Sequence, residues 1–199
     1  MRRFSHHSTI GFWLLSLLLL GIAPALLAQD GWSRVLLENA PGTAGFVRST
    51  ADGGAIQAAA VSAGAPGQTR IAVTRLEADG TLRWTQGLTL SGQGSLGSIA
   101  AASDGGCALV GWITPPATTL QAGWIIRLDT EGNILWQHQY SGTDSVSFAS
   151  VSPTSDGGWA ITGGTSNGPQ NTCRLLLLKL DSSGNHLWHT ALTSESPAG

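Results

Sequence analysis

The chain has 199 residues, of which 12 are acidic and 10 are basic, giving a net charge of −2 at neutral pH. These charges are scattered without a run of either sign, so the chain lacks the basic stripe that is typical of nucleic-acid binding. Gly, Ser, Thr and Ala are abundant, but eight Trp and many Leu, Ile and Val side chains favour a packed core over disorder.

Residues 1–28 have the three-part layout of a secretory signal peptide. Arg2 and Arg3 form the basic start, residues 11–20 form an apolar run, and the stretch ALLA ends the segment with small residues. An uncleaved membrane anchor is the alternative, but the apolar run is short for a bilayer and Pro24 follows it closely. We therefore expect a secreted or periplasmic protein that has no membrane association after cleavage.

Residues 29–199 form a repeat region with a period of 52 residues. Six positions keep the same residue in three copies without an insertion, which excludes coincidence. These positions are Asp52, Asp104 and Asp156; Gly53, Gly105 and Gly157; Gly54, Gly106 and Gly158; Leu76, Leu128 and Leu180; Gly80, Gly132 and Gly184; and Trp84, Trp136 and Trp188. The pattern divides the region into units at about 45–96, 97–148 and 149–199, and Trp32, one period before Trp84, marks a lone preceding strand at 32–37.

Each unit is long enough for four short strands, and the third unit shows them most clearly. Its strands are predicted at 147–153, 159–165, 174–181 and 186–192, joined by the turns SDGG and SSGN and by one loop. Glycine supplies the positive φ that such turns need, and the Asp of SDGG can cap its turn by accepting from nearby backbone amides. No segment after the signal peptide has helical periodicity.

The composition of the strands predicts how the units pack. The third strand of a unit is a continuous apolar run, as in LLLL at 175–178, which indicates burial on both faces. The first strand is built of small residues, as in GSIAAAS at 97–103, so neighbouring backbones can converge there. Both features favour an all-β fold of β-propeller repeats, with about three four-stranded antiparallel blades in an open or incomplete array. A β-sandwich is the alternative, but it gives no reason for the strict period.

Side chains that recur at fixed positions predict structural contacts. The repeated Trp residues are expected to be equivalent buried anchors that pack against the adjacent blade, with each indole N–H finding an acceptor. The basic side chains Arg75, Arg127 and Lys179 each lie two residues before an acidic one. We expect each of them to form an ion pair with that neighbour, which is Glu77, Asp129 or Asp181.

The repeat unit resembles a known group of proteins. The pattern T-S-D-G-G followed by K-L-D-x-x-G-N-x-x-W is similar to secreted bacterial and archaeal β-propeller repeats with S-D-G-G turns and L-D-x-x-G-x-x-x-W segments. The stretch LDSSGNHLW at 180–188 is also similar, more loosely, to the tryptophan-docking segment of quinoprotein-like propellers, which place the Gly one residue further from the Asp. The resemblance spans about 32–192 and implies a propeller fold. It implies no activity, because no residue of this chain matches the calcium and cofactor ligands of quinoproteins.

The reactive side chains predict no catalytic, cofactor or metal site. Each SDGG turn offers one carboxylate, whereas calcium needs six to eight oxygen ligands. His138, His186 and His189 are expected on the surface of outer strands, and no third zinc ligand accompanies them. Cys107 and Cys173 are expected not to bridge, because they start strands at opposite ends of different blades, beyond the ~7 Å limit for a disulfide.

These observations favour an extracytoplasmic binding or scaffolding module for a protein or glycan ligand over an enzyme. Propellers present loops on two flat faces, which suit such ligands. The alternative is part of a quinoprotein-like or glycan-active propeller enzyme. Closed propellers need about four to eight blades, so we also expect the remaining blades to come from a longer chain or from self-association, with the lone strand at 32–37 favouring a longer chain.

Overall fold

The computed structural model describes residues 45–62, 67–167 and 172–193. All of them lie in the second of two compact units of the chain, residues 37–199. The predicted signal peptide and the predicted strand at 32–37, with Trp32, lie outside the described residues.

The described residues form three four-stranded antiparallel sheets, each made of consecutive strands. Sheet 1 contains β1 (Phe46–Ser49), β2 (Ala55–Ser62), β3 (Gln68–Leu76) and β4 (Leu82–Ser91). Sheet 2 contains β5 (Gln93–Ala101), β6 (Cys107–Thr114), β7 (Ala122–Leu128) and β8 (Ile134–Tyr140). Sheet 3 contains β9 (Ser145–Pro153), β10 (Trp159–Asn167), β11 (Thr172–Leu180) and β12 (His186–Thr193). No helix occurs among these residues.

For the described residues, the prediction of an all-β fold with four strands per unit is confirmed. In sheet 3 every strand begins within two residues of its predicted start. The first strand of sheet 2 begins at Gln93, four residues earlier than the small-residue stretch indicates. Its added residues Gln93 to Leu96 pair with the far end of β6, and a β-bulge at Gly97 shifts the register between them and the rest of the strand.

Successive sheets pack face to face, and the first strand of each sheet lies closest to its predecessor. Strand β5 contacts β1, β2 and β3, and strand β9 contacts β5, β6 and β7. One apolar core lies between sheets 1 and 2, and it includes Ile71, Leu109 and Ile126. A second core lies between sheets 2 and 3, and it includes Ile125 and Leu178. Neighbouring residues of β7 thus enter different cores.

The predicted burial of the third strand on both faces holds in sheet 2 and is wrong in part of sheet 3. All seven residues of β7 are buried. In β11, Leu176, Leu178 and Leu180 are buried, but Leu175 is 58% exposed. The difference follows from packing, because Leu175 lies on the face of sheet 3 that points away from sheet 2.

Candidate binding clefts between the sheets

The repeated Asp-Gly-Gly positions form the turn between the first and second strand of every sheet, as predicted. The first glycine has a positive φ of 79 to 86° in all three copies, Gly53, Gly105 and Gly157. The second glycine is required by space, because a Cβ at Gly54, Gly106 or Gly158 would lie 2.2 to 2.3 Å from a carbonyl oxygen of the third strand. The Asp carboxylate accepts from the amide of this second glycine at 3.0 to 3.2 Å, so the predicted cap is confirmed.

The predicted ion-pair partners are wrong, and the turn Asp takes their place. Arg75 pairs with Asp52, Arg127 with Asp104 at 2.6 Å, and Lys179 with Asp156 at 2.9 Å. Residues two apart on a strand have their side chains on the same face of the sheet. Each basic side chain nevertheless extends to the turn that precedes the neighbouring strand. Asp129 and Asp181 instead cap the next turn, and Glu77 lies 3.5 Å from Arg83.

These pairs hold the turn carboxylates ionised. The Thr50 hydroxyl and then Arg75 lower the pKa of Asp52, and Thr154 and Lys179 do the same for Asp156. At Asp104 partial burial raises the pKa, but the Gly106 amide and Arg127 outweigh it and the net shift is downward. Sheet 2 has Ala102 where its neighbours carry the Thr, and its Arg127 also donates to the Cys107 carbonyl and lies 5.3 Å from the Trp159 ring centre.

Two of the repeated tryptophans dock on the next sheet, as predicted. Trp84 donates from Nε1 to the Thr130 carbonyl at 2.8 Å, and its ring lies against Gly132. Trp136 donates to the Ser182 carbonyl at 3.2 Å, and its ring lies against Gly184. Both rings are half-buried rather than buried. The prediction of equivalent anchors is wrong for Trp188, which is 46% exposed.

The remaining repeated positions are structural as well. Leu76, Leu128 and Leu180 end the third strands and are buried. Gly80, Gly132 and Gly184 have φ of 81 to 85° in the turn before the fourth strand. Cys107 and Cys173 are both free thiols, as predicted, and burial raises the pKa of Cys107 to about 12.

Two clefts occupy equivalent places between successive sheets, and neither was predicted from the sequence. One lies between sheets 1 and 2 and the other between sheets 2 and 3, and each has a volume of about 380 Å³. We call them cleft 1 and cleft 2. Each is lined by the end of the outer strand of one sheet and by the second, third and fourth strands of the next, and cleft 2 is also lined by Val146 and Phe148 of β9. Because the first strands of adjacent sheets meet closely, the clefts lie on the side where the fourth strands run.

Cleft 1 has an indole and a set of neutral hydrogen-bonding side chains. Trp124, Gln137 and Gln139 line it, with the hydroxyl-bearing residues Thr89 and Ser91 across from them. Trp124 is 3% exposed, and its buried Nε1 donor has no hydrogen-bond partner. A buried donor without an acceptor costs about 1–3 kcal/mol.

Cleft 2 has an aromatic wall and a polar side that carries one arginine. Tyr140 and Phe148 line it with their rings in edge contact, 5.4 Å between centres. Burial raises the pKa of Tyr140, so its hydroxyl stays protonated and can donate. Arg174, His186 and His189 line the same cleft.

The histidines are exposed as predicted, but their location in a cleft was missed. His186 Nε2 and His189 Nδ1 lie 3.0 Å apart, and His138 stacks on Trp136 at 5.4 Å. The cleft could have been found from positions at which the units differ. Arg174 and His189 are two such positions, where the preceding unit has Ala122 and Gln137. Repeats are recognised by the residues that stay the same, so positions that differ between units are easily missed.

The described residues contain no group of three or more His, Cys, Asp and Glu side chains placed to hold a metal ion. Within the same residues, no helix has the length and apolar character needed to cross a membrane. Comparison of the chain with known protein families and with curated proteins finds no match. The function must therefore be inferred from the clefts themselves.

Proposed function

We propose that the three sheets are consecutive blades of a β-propeller and that the protein is an extracytoplasmic binding module whose clefts take saccharide ligands. The single observation that carries this proposal is the recurrence of one cleft between each pair of successive sheets. Both clefts combine an aromatic ring with side chains that donate and accept hydrogen bonds.

This combination suits a sugar ring. The faces of a pyranose are apolar and pack on aromatic side chains, while its hydroxyls need several hydrogen-bond partners at the edge. In cleft 2 the half-buried ring of Tyr140 supplies the aromatic wall, with the buried Phe148 in edge contact behind it. In cleft 1 Gln137 supplies an amide beside the buried Trp124. A cleft of about 380 Å³ lies in the range of small-molecule sites and would hold one or two sugar residues.

The propeller arrangement supports a multivalent version of this binding. Repeated units place equivalent clefts at regular intervals, and a polymeric glycan can occupy more than one of them at once. Weak individual sites then combine, because the second contact occurs at a high effective concentration. This is the physical advantage of repeating one modest cleft.

The test is a titration of the full chain with a panel of neutral and acidic oligosaccharides, read by protein-observed NMR. We expect shifts at Tyr140 and His189 in cleft 2 and at Gln137 in cleft 1, and loss of the His189 shift in Tyr140→Ala. Leu192→Ala is the matched control, because Leu192 holds the equivalent position in sheet 3, is 56% exposed and lines neither cleft. Absence of binding across the panel would overturn the proposal, and release of shorter sugars from a probe would show a glycan-active enzyme instead.

A further inference from the structure

Cleft 2 is lined by two charged side chains, Arg174 and Asp144, whereas cleft 1 is lined by none, and this difference identifies a ligand class. We propose that cleft 2 selects saccharides that carry a carboxylate, such as hexuronic acids, whereas cleft 1 takes neutral sugars. The inference rests on the saccharide-binding function proposed above and adds the specificity of one of its sites.

The charge difference arises at three equivalent positions. Arg174, His186 and His189 of cleft 2 correspond, one period earlier, to Ala122, Ile134 and Gln137. The lining of cleft 1 includes no Arg, Lys, Asp or Glu side chain. The third unit has therefore gained one arginine and two histidines at these positions, whereas among the described residues the only such side chain that lines cleft 1 is His138.

The guanidinium of Arg174 is available to a ligand. Among the residues that the structure describes, it makes no hydrogen bond or ion pair, although Asp144 lines the same cleft. The Asp144 carboxylate accepts instead from the side-chain amide of Asn167 at 3.0 Å. Arginine in this state presents a planar fork of donors that matches a carboxylate with two parallel hydrogen bonds.

The two histidines add donors on the same wall. Their rings contact each other through Nε2 of His186 and Nδ1 of His189, and the tautomers decide which ring donates. The ring that accepts keeps its own N–H on the other nitrogen, where a ligand can meet it. On β11 and β12, Leu178 pairs with His189 and Leu180 with His186. This register places both imidazoles on the face that packs towards Tyr140 and Phe148, where the sugar ring would lie.

The experiment compares two probes that differ only at the carboxyl groups: a trimer of galacturonic acid and the same trimer with every carboxylate converted to its neutral methyl ester. Affinities for the full chain are measured by calorimetry at low salt. We expect the acidic trimer to bind about tenfold tighter, because hydrogen bonds to a charged group are stronger than those to a neutral one. In Arg174→Ala, which installs the residue of the second unit, the preference should vanish while binding of the ester persists.

Arg70→Ala is the matched control, because Arg70 holds the equivalent position in the first unit and removes the same charge without lining cleft 2. It should keep the tenfold preference. An equal loss in Arg70→Ala and Arg174→Ala, or equal affinities of the two probes for the native chain, would overturn the charge selectivity alone. Failure of both probes, together with failure of the neutral panel, would overturn saccharide binding itself.

A second substitution tests whether His189 belongs to the proposed site. His189→Gln also installs the residue of the second unit and leaves a side-chain donor of similar length. We expect it to reduce the preference for the acidic probe by a factor of about two to three, less than Arg174→Ala, because a neutral donor remains. An unchanged preference would remove His189 from the proposed site.

Discussion

Sheets 2 and 3 have the same turns, strand order and repeated residues, yet they differ in burial. Ile125 of sheet 2 is completely buried, whereas Leu177 at the equivalent position of sheet 3 is half-buried. Val110 is buried and its equivalent Thr162 is exposed. The difference lies in what covers each face, because sheet 3 covers sheet 2 and no described residue covers sheet 3 in the same way. In a repeat array a residue's contribution to stability depends on the adjacent unit as much as on its own.

The largest difference in stability between sheets 2 and 3 is expected at their repeated tryptophans. Trp136→Ala should lower the free energy of unfolding by about 3 kcal/mol, because it removes the ring packed on Gly184 and the bond to the Ser182 carbonyl. Trp188→Ala should cost less than about 1 kcal/mol, as is usual for an exposed position. Chemical denaturation measures both. Equal losses in the free energy of unfolding would show that Trp188 is covered in solution and would contradict the difference in burial between the two sheets.

The core of the third strands provides the next test. We expect Ile125→Ala to cost about 3 kcal/mol, since it leaves a cavity between sheets 2 and 3. Leu177→Ala should cost about 1 kcal/mol, because its surroundings already admit water. If the Leu177 substitution proved as costly as that of Ile125, the outer face of sheet 3 would have to be packed against another surface.

Substitutions of the basic residues at the turns should show a smaller difference in stability between sheets 2 and 3. Arg127→Lys gives sheet 2 the side chain of sheet 3 and should cost about 1 kcal/mol, because lysine loses both the two-oxygen contact with Asp104 and the contact with the Trp159 ring. Lys179→Arg should change the free energy of unfolding by less than about 0.5 kcal/mol. Thermal denaturation of the two variants side by side decides, and a larger loss in the sheet 3 variant would contradict the account.

The smallest expected effect is the acid dependence of the turns. Asp104 and Asp156 have pKa values below their usual range in the folded chain, so their contribution to stability is present above the unfolded pKa of about 3.9 and is lost as pH falls through the folded value. Thr154→Ala removes the largest cause of the shift at Asp156. The acid loss in sheet 3 should then become smaller than in the native chain, as followed by denaturant midpoints between pH 5 and pH 2.

Much of the fold was predictable because its signals are local. The Asp-Gly-Gly turn needs one glycine for positive φ and one for the close approach of a carbonyl, and the Asp carboxylate bonds an amide two residues away. Such requirements act within a few residues of the chain. The strand composition and the period could therefore be interpreted as three four-stranded sheets before any contact was known.

For the contacts between units, the sequence predicts the type of interaction but not the partner residues. The sequence indicates that Trp84 and Trp136 need an acceptor, and the structure identifies the Thr130 and Ser182 carbonyls, each 46 residues further along the chain. The cations at the ends of the third strands were assigned to acidic neighbours two residues away, which is wrong. Pairing across the sheet brings Arg127 to Asp104, 23 residues back, and sequence proximity does not report that distance.

The sequence by itself determined the repeat, the number of strands and the chemistry of the turns, since each depends on short-range backbone geometry and on hydrophobic alternation. The tertiary structure alone decided where the sheets meet and where they separate. Cleft 2 draws Tyr140 from one sheet and Arg174 and His189 from the next, so its composition depends on how two sheets are inclined to each other. That inclination follows from side-chain packing between β5, β7 and β9, which no single strand encodes.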